Sequence, residues 1–118
     1  MAVGAAFVVV TLAGGAFVFL GWLGLLGKLP PNHFAGIRTP FTRASEENWY
    51  VTHRAAGPIL VFGGVAVFAA GLSGVPFALL GKLPAGFGLP FVTALTVVLV
   101  VTAIVSWQVG VGAAKRQR

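Results

Sequence analysis

Three long runs of residues without a charged side chain dominate the chain, at 2–27, 55–81 and 83–114. Each exceeds the roughly 20 residues that an α-helix needs to cross a hydrocarbon core of roughly 30 Å. The third run opens with glycines and prolines, which disfavour a helix, so its spanning helix is expected at about 91–112. The pattern predicts an all-α membrane protein with three transmembrane helices, at about 2–27, 55–81 and 91–112.

The charged residues between these runs predict the orientation of the helices. Seven of the eight basic residues lie either in the loop between the first two spans or in the tail, 113–118, and only Lys82 lies on the other side. The positive-inside rule therefore places this loop and the C-terminus in the cytoplasm and the N-terminus outside. A cleaved signal peptide is the alternative for the first run, but no basic residue precedes Lys28 and the run is longer than a usual signal core.

The three tryptophans agree with this orientation. Trp22 and Trp107 lie near the predicted cytoplasmic ends of their helices, and Trp49 directly precedes the second span. Indole rings are favoured where the hydrocarbon meets the headgroups. All three are therefore predicted to be interfacial anchors, as is Tyr50.

Two sequence patterns concern helix ends and helix packing. The hexapeptide LLGKLP occurs at 25–30 and again at 79–84, where glycine ends a helix, lysine reaches the interface and proline prevents continuation. Small residues recur every four positions, which permits close packing of the second and third helices as an antiparallel hairpin. On the second helix these are Ala66, Ala70 and Gly74, and on the third Thr102, Ser106, Gly110 and Ala114.

The composition supports a membrane protein and argues against several classes of function. Apolar residues make up 58% of the chain and charged residues 8%, against about 25% charge in an ordinary soluble domain. With two carboxylates, two histidines and no cysteine, the chain lacks most polar catalytic machinery, and we expect neither an enzyme nor a cofactor. The pI of about 11.5 reflects basic helix ends and not one basic face, so no nucleic-acid partner is expected. No small-molecule substrate is predicted either.

The chemically informative part of the chain is the signature segment, residues 28–54, which contains both carboxylates, both histidines and both asparagines. Gly36 and Pro40 predict an ordered turn in its first half. Ser45 followed by Glu46 and Glu47 predicts the start of a helix that continues into the second span. That helix would carry Glu46, Trp49, His53 and Ala56 along one stripe, with Pro58 as a kink or step at the membrane surface.

Arg38 and Arg54 admit two interpretations. A guanidinium can bind a lipid phosphate or an acidic partner, or it can pair internally with Glu46 or Glu47. We favour the internal pairs, because a loop against lipid must satisfy its own polar groups. A metal site built on the histidines is not predicted, since Glu46 and His53 are two helical turns apart.

The string NHFAGIRTPFTRASEENWYVTHR, residues 32–54, resembles the signature of the SdpI family of bacterial membrane proteins. That signature typically reads Asn, then Gly-Ile-Arg-Thr-Pro-Trp-Thr, then Ser-Glu, Trp and His-Arg. Phe41 replaces its tryptophan, and the family's immunity protein has a further membrane-spanning half before this region. Among the matching positions, the candidate partner-binding or lipid-binding residues are Asn32, Gly36, Arg38, Thr39, Pro40, Glu46, Trp49, His53 and Arg54.

The resemblance implies a multi-pass protein of the bacterial plasma membrane. It also implies immunity to a secreted peptide toxin, or signalling, through a protein partner that the signature segment binds. The alternative is a small accessory subunit that braces a larger membrane complex. In both cases the lipid bilayer and a protein are the expected partners.

Overall fold

The computed structural model of the protein describes residues 2–116. This part of the chain consists of α1 (Ala2–Leu26), the single-turn α2 (Pro40–Arg43), α3 (Glu46–Leu79) and α4 (Gly88–Arg116), and it contains no β-strand. The three long helices are each long and apolar enough to span a membrane. They form a rod of 53 × 20 × 20 Å. The predicted all-helical fold is confirmed, with three helices that are candidates to span a membrane.

Helix α3 begins where the sequence predicts and runs without interruption into the second span. The Ser45 hydroxyl accepts a hydrogen bond from the Asn48 backbone N–H at 3.0 Å, and Glu46 and Glu47 occupy the positive end of the helix dipole. Its 34 residues extend about 50 Å, well beyond a hydrocarbon core of about 30 Å. The first turns of α3 therefore project from the apolar part of the bundle and support the signature segment.

Helix α4 is longer than predicted at both ends. It starts at Gly88, because Pro90 lies in the first turn, where a missing N–H breaks no helical hydrogen bond. It continues through Lys115 and Arg116, which suit the negative end of the dipole. Most of the predicted tail is thus helical, and Arg118 lies outside the described residues.

The repeated hexapeptide ends two helices in the same way. After α1, Gly27 has φ +71° and the Lys28 N–H donates to the Leu23 carbonyl at 2.8 Å; after α3, Gly81 has φ +68° and the Lys82 N–H donates to the Phe77 carbonyl at 2.7 Å. This is the Schellman arrangement, in which a glycine adopts the left-handed conformation. The predicted common helix exit is confirmed, at opposite ends of the bundle.

Helix α3 lies between its neighbours, and its most extensive contact is with α1. The α1–α3 contact depends on glycines spaced by seven residues. A Cβ at Gly21 would lie 2.8 Å from the Gly57 carbonyl oxygen, and one at Gly14 would lie 3.0 Å from the Gly64 carbonyl oxygen. A seven-residue repeat of close contacts is typical of helices that pack in a shallow left-handed crossing.

The antiparallel contact between α3 and α4 follows the predicted stripe on α4 only. Thr102, Ser106, Gly110 and Ala114 are all buried, and a Cβ at Gly110 would lie 2.6 Å from the Thr52 carbonyl oxygen. The stripe predicted on the second helix is wrong, since Ala66 is exposed and Gly74 faces Phe7 of α1. Four-residue spacing correctly predicted the contact face of α4, which packs mainly against α3. Helix α3 packs against both α1 and α4, and its small residues are divided between these two contact faces.

Candidate functional site

The signature segment begins with a turn held by one side chain. The Oδ1 atom of Asn32 accepts hydrogen bonds from the backbone N–H groups of Phe34 and Ala35, both at 2.8 Å, and its Nδ2 donates to the Pro30 carbonyl at 2.9 Å. Asparagine favours such local turns because its side chain competes with the backbone for partners. The Asn32 amide thus fixes the direction in which the chain leaves α1.

His53 joins this turn to α3. Its Nε2 accepts a hydrogen bond from the Ile37 N–H at 2.8 Å, and its Nδ1 lies 2.7 Å from the Trp49 carbonyl oxygen. Since a carbonyl only accepts, Nδ1 carries the proton and the imidazole is the neutral Nδ1–H tautomer. Gly36 has φ +108°, and a Cβ there would lie 2.7 Å from Nε2. Glycine is therefore required at position 36 for both its conformation and its lack of a side chain.

Trp49 is the centre of the folded segment. The side chain is completely buried, its Nε1–H donates to the Leu29 carbonyl at 2.8 Å, and its ring lies 4.3 Å from the His53 ring. The prediction of an interfacial anchor is therefore wrong for Trp49. Its N–H finds a partner in the chain that returns from α1, so the indole is covered by protein and does not need the headgroup region.

The middle of the segment is the single turn α2. Thr39 caps it: its hydroxyl accepts from the Thr42 N–H at 3.1 Å, and its own N–H donates to the Thr42 hydroxyl at 2.9 Å. Pro40 follows at the first helical position, where proline is favoured. The buried Thr42 hydroxyl also donates to the Ile37 carbonyl at 2.7 Å, and Asn48 of α3 donates to the Phe41 carbonyl at 2.9 Å. These bonds attach α2 to both of its neighbours.

Arg38 and Arg54 are exposed and lie near backbone in place of carboxylates. Arg38 Nη1 donates to the His33 carbonyl at 2.6 Å, and the Arg54 guanidinium lies over Gly27, where a Cβ would be 2.6 Å from Nη2. Within residues 2–116, neither arginine pairs with Glu46 or Glu47. The predicted internal ion pairs are therefore wrong. Both carboxylates are exposed at the α3 N-terminus, and Arg38 donates to the His33 carbonyl instead.

The nine predicted site residues thus fall into three groups by their exposure. Exposed are Arg38, Pro40, Glu46 and Arg54, half-buried are Asn32, Gly36 and Thr39, and buried are Trp49 and His53. The predicted stripe on α3 is therefore buried except at Glu46. Within the described residues, no three His, Asp or Glu side chains lie close enough to share a metal ion.

Sequence reasoning missed two buried polar residues, Thr42 and Asn48, that hold the segment together. The Thr-Pro-x-Thr spacing of 39–42 is the signal that could have identified Thr42, because it places a second hydroxyl at the third position of a capped turn. No comparable sequence pattern predicts the role of Asn48. Its partner, the Phe41 carbonyl, comes from a different element.

Two buried threonines provide a matched test of this hydrogen bonding. Thr42 and Thr52 are both fully buried, but the Thr42 hydroxyl has partners and the Thr52 Oγ1 has none in the described residues. We expect Thr42→Val to lower the free energy of unfolding by about 1–3 kcal/mol, because it removes the partners of Ile37 O and Thr39 N–H. Thr52→Val should leave stability unchanged or raise it. Unfolding by SDS titration in mixed micelles measures both, and equal losses would contradict the assignment.

Comparison with known proteins supports the resemblance seen in the sequence. The model of the SdpI/YfhL protein family matches residues 28–109, a range that begins directly after α1 and includes the whole signature segment, α3 and most of α4. No curated protein and no solved structure matches the chain. Since the family model covers more than half of the sequence, the chain belongs to the SdpI/YfhL protein family.

Proposed function

We propose that this protein binds a protein partner through the outer face of its signature segment, and that it acts in immunity or signalling in the bacterial plasma membrane. The outer face consists of Arg38, Pro40, Glu46 and Arg54. The protein works by binding and not by catalysis. Membership of the SdpI/YfhL family supports the proposal.

The observation that carries the proposal is that the buried residues of the segment hold its backbone together, while its charged residues are exposed. Trp49, His53 and Thr42 are buried and bond to the backbone of the same segment. Their bonds leave the exposed charged groups on a scaffold anchored to α3. A surface fixed in this way loses little conformational freedom on binding, which favours recognition of a partner.

The test is recovery of a partner from native membranes by variants of the outer face. Arg38→Gln removes a charge whose bond is made at the surface, so the three helices should still insert and the yield should not change. We expect at least a tenfold loss of the co-purifying partner, as for a charged contact at an interface. Lys82→Gln, at the opposite end of the bundle, is the matched control and should retain the partner.

The accessory-subunit alternative predicts the opposite outcome. A subunit held by its lipid-facing helices would keep its partner in Arg38→Gln and lose it when the exposed side of α4 is altered. Val101 is 52% exposed and suits this purpose, as Val101→Phe adds bulk without entering the bundle. Gly110 is unsuitable because it contacts α3. Loss of the partner in Val101→Phe alone would replace the proposed docking role with the bracing role.

The proposed orientation places the signature segment and the C-terminus in the cytoplasm. The sequence has no cysteine, so single cysteines report without background. Ala44 and Ala85 are exposed and lie at opposite ends of the rod. In intact cells, we expect a membrane-impermeant maleimide to label Ala85→Cys and to label Ala44→Cys only after lysis. Labelling of Ala44→Cys from outside would reverse the orientation.

A further inference from the structure

A small pocket on the signature segment lies beside the turn held by Asn32. It is lined by Pro31, Asn32, His33 and Arg43 and has a volume of about 250 Å³. The Asn32 Oδ1 accepts two hydrogen bonds within the turn and its Nδ2 donates one, which leaves one amide N–H unused. The side-chain donors that remain for a ligand are therefore the Arg43 guanidinium, the His33 imidazole and this one N–H of Asn32.

The charges around the pocket favour an anion. Arg43 is exposed, and its guanidinium has no acceptor within residues 2–116. Arg38 stands beside the pocket, since it bonds to the backbone carbonyl of His33, and it uses one of its five N–H groups there. No carboxylate occurs in the sequence from 28 to 45. Two guanidinium groups that form no ion pair within residues 2–116 are an arrangement suited to a phosphate.

The position of the pocket along the bundle indicates where that phosphate comes from. Trp22 and Trp107 are about half exposed near the same end of the bundle, as expected for indoles at the edge of the hydrocarbon. Phe34, next to His33, is 88% exposed, although its ring is apolar. An aromatic side chain left uncovered beside two arginines suits the headgroup region of a bilayer, where the ring enters lipid and the cations face phosphates.

We propose that the pocket formed by Pro31, Asn32, His33 and Arg43, together with Arg38, binds the phosphodiester group of an anionic phospholipid. Arg43 supplies the main contact, Arg38 adds a second positive charge, and Phe34 enters the adjoining lipid. The site shares Arg38 with the proposed partner surface, but its main contact, Arg43, lies outside that surface, so Arg43→Gln tests lipid binding separately.

Native mass spectrometry of the full chain in detergent tests the proposal. The probes are phosphatidylglycerol, phosphatidylcholine and inorganic phosphate. We expect phosphatidylglycerol to bind at least fivefold more tightly than phosphatidylcholine, and Arg43→Gln to weaken it about fivefold. Arg43→Lys keeps the charge and should lose less. Arg116→Gln removes the same charge at the same end of the bundle, outside the pocket, and should bind phosphatidylglycerol as the native chain does.

Three results would overturn the proposal. Equal losses in Arg43→Gln and Arg116→Gln would mean diffuse attraction between lipid and a basic helix end. Displacement of phosphatidylglycerol by millimolar inorganic phosphate would mean a site for the free anion. Binding of an acidic peptide that depends on Arg43, without preference between the two lipids, would mean a protein contact. The unfolding temperature of each variant, expected to match that of the native chain, confirms that the comparison concerns folded protein.

Discussion

Trp49→Ala is expected to lower the free energy of unfolding by about 3–5 kcal/mol, the usual effect of removing a large aromatic side chain from a packed interior. The indole is completely buried, bonds to the Leu29 carbonyl and lies against the His53 ring. Its removal leaves a cavity, an unsatisfied carbonyl and an unsupported imidazole. SDS titration of the purified protein, followed by far-UV circular dichroism, measures the loss.

The other two tryptophans provide the control for this experiment. Trp22 is 53% exposed and Trp107 is 46% exposed, so their truncation should change stability by much less than that of Trp49. Trp49→Phe keeps one aromatic ring, so it should cost less than alanine; it removes the hydrogen bond, which contributes about 1–3 kcal/mol, and part of the packing of the indole. Equal effects of alanine at all three positions would place Trp49 at the lipid interface, contrary to the structure.

Gly57→Leu is expected to prevent α1 from packing against α3. A Cβ at position 57 would lie 2.7 Å from the Gly21 carbonyl oxygen and 2.9 Å from the Leu25 Cβ, and both belong to the facing helix. Because backbone cannot move aside as a side chain can, overpacking here should lower stability by about 3 kcal/mol or more. The expected readout is aggregation or a broadened elution profile in detergent, with little monodisperse protein.

Gly112→Leu is the matched control, since it introduces the same side chain into a helix of the same bundle. The nearest atom to a Cβ at position 112 is Arg116 Nη1, at 3.5 Å, which belongs to a flexible side chain. This variant should elute as the native chain does and should gain slightly in helix propensity. If the two leucine variants behave alike, the glycine contact between α1 and α3 does not determine packing.

The sequence predicted the spans well because the physical signal for them is long and simple. A run of more than 20 uncharged, mostly apolar residues predicts a membrane-spanning helix with few competing structures. Ser45 and Gly27 marked helix ends because a serine hydroxyl caps the start of a helix and a glycine ends one. Bundle packing was harder to predict. Small residues occur on several faces of α3, and only the arrangement of all three helices determines that Gly57, Gly64 and Gly71 face α1.

The candidate site was located correctly as a segment, but its internal contacts were not predicted. Arginine and glutamate in one loop favour an ion pair by charge alone, whereas the fold directs Arg38 to the His33 carbonyl. Trp49 resembled an interfacial residue because it precedes a span. Its burial depends on Leu29, which is 20 positions away and is brought near by the turn after α1. Such non-local partners leave no pattern in the residues themselves.

The glycines of α1 and α3 could also pair in a second alignment of the two helices. In the observed register Gly14 lies against Gly64 and Gly21 against Gly57, but sliding α1 by one heptad, about 10 Å, would pair Gly14 with Gly71 and Gly21 with Gly64. The glycines alone therefore permit two alignments. The Trp49–Leu29 hydrogen bond exists in only one of them, because the slide would carry Leu29 away from the indole. The Trp49–Leu29 hydrogen bond of the signature segment thus favours one of two alignments that the glycines alone would permit.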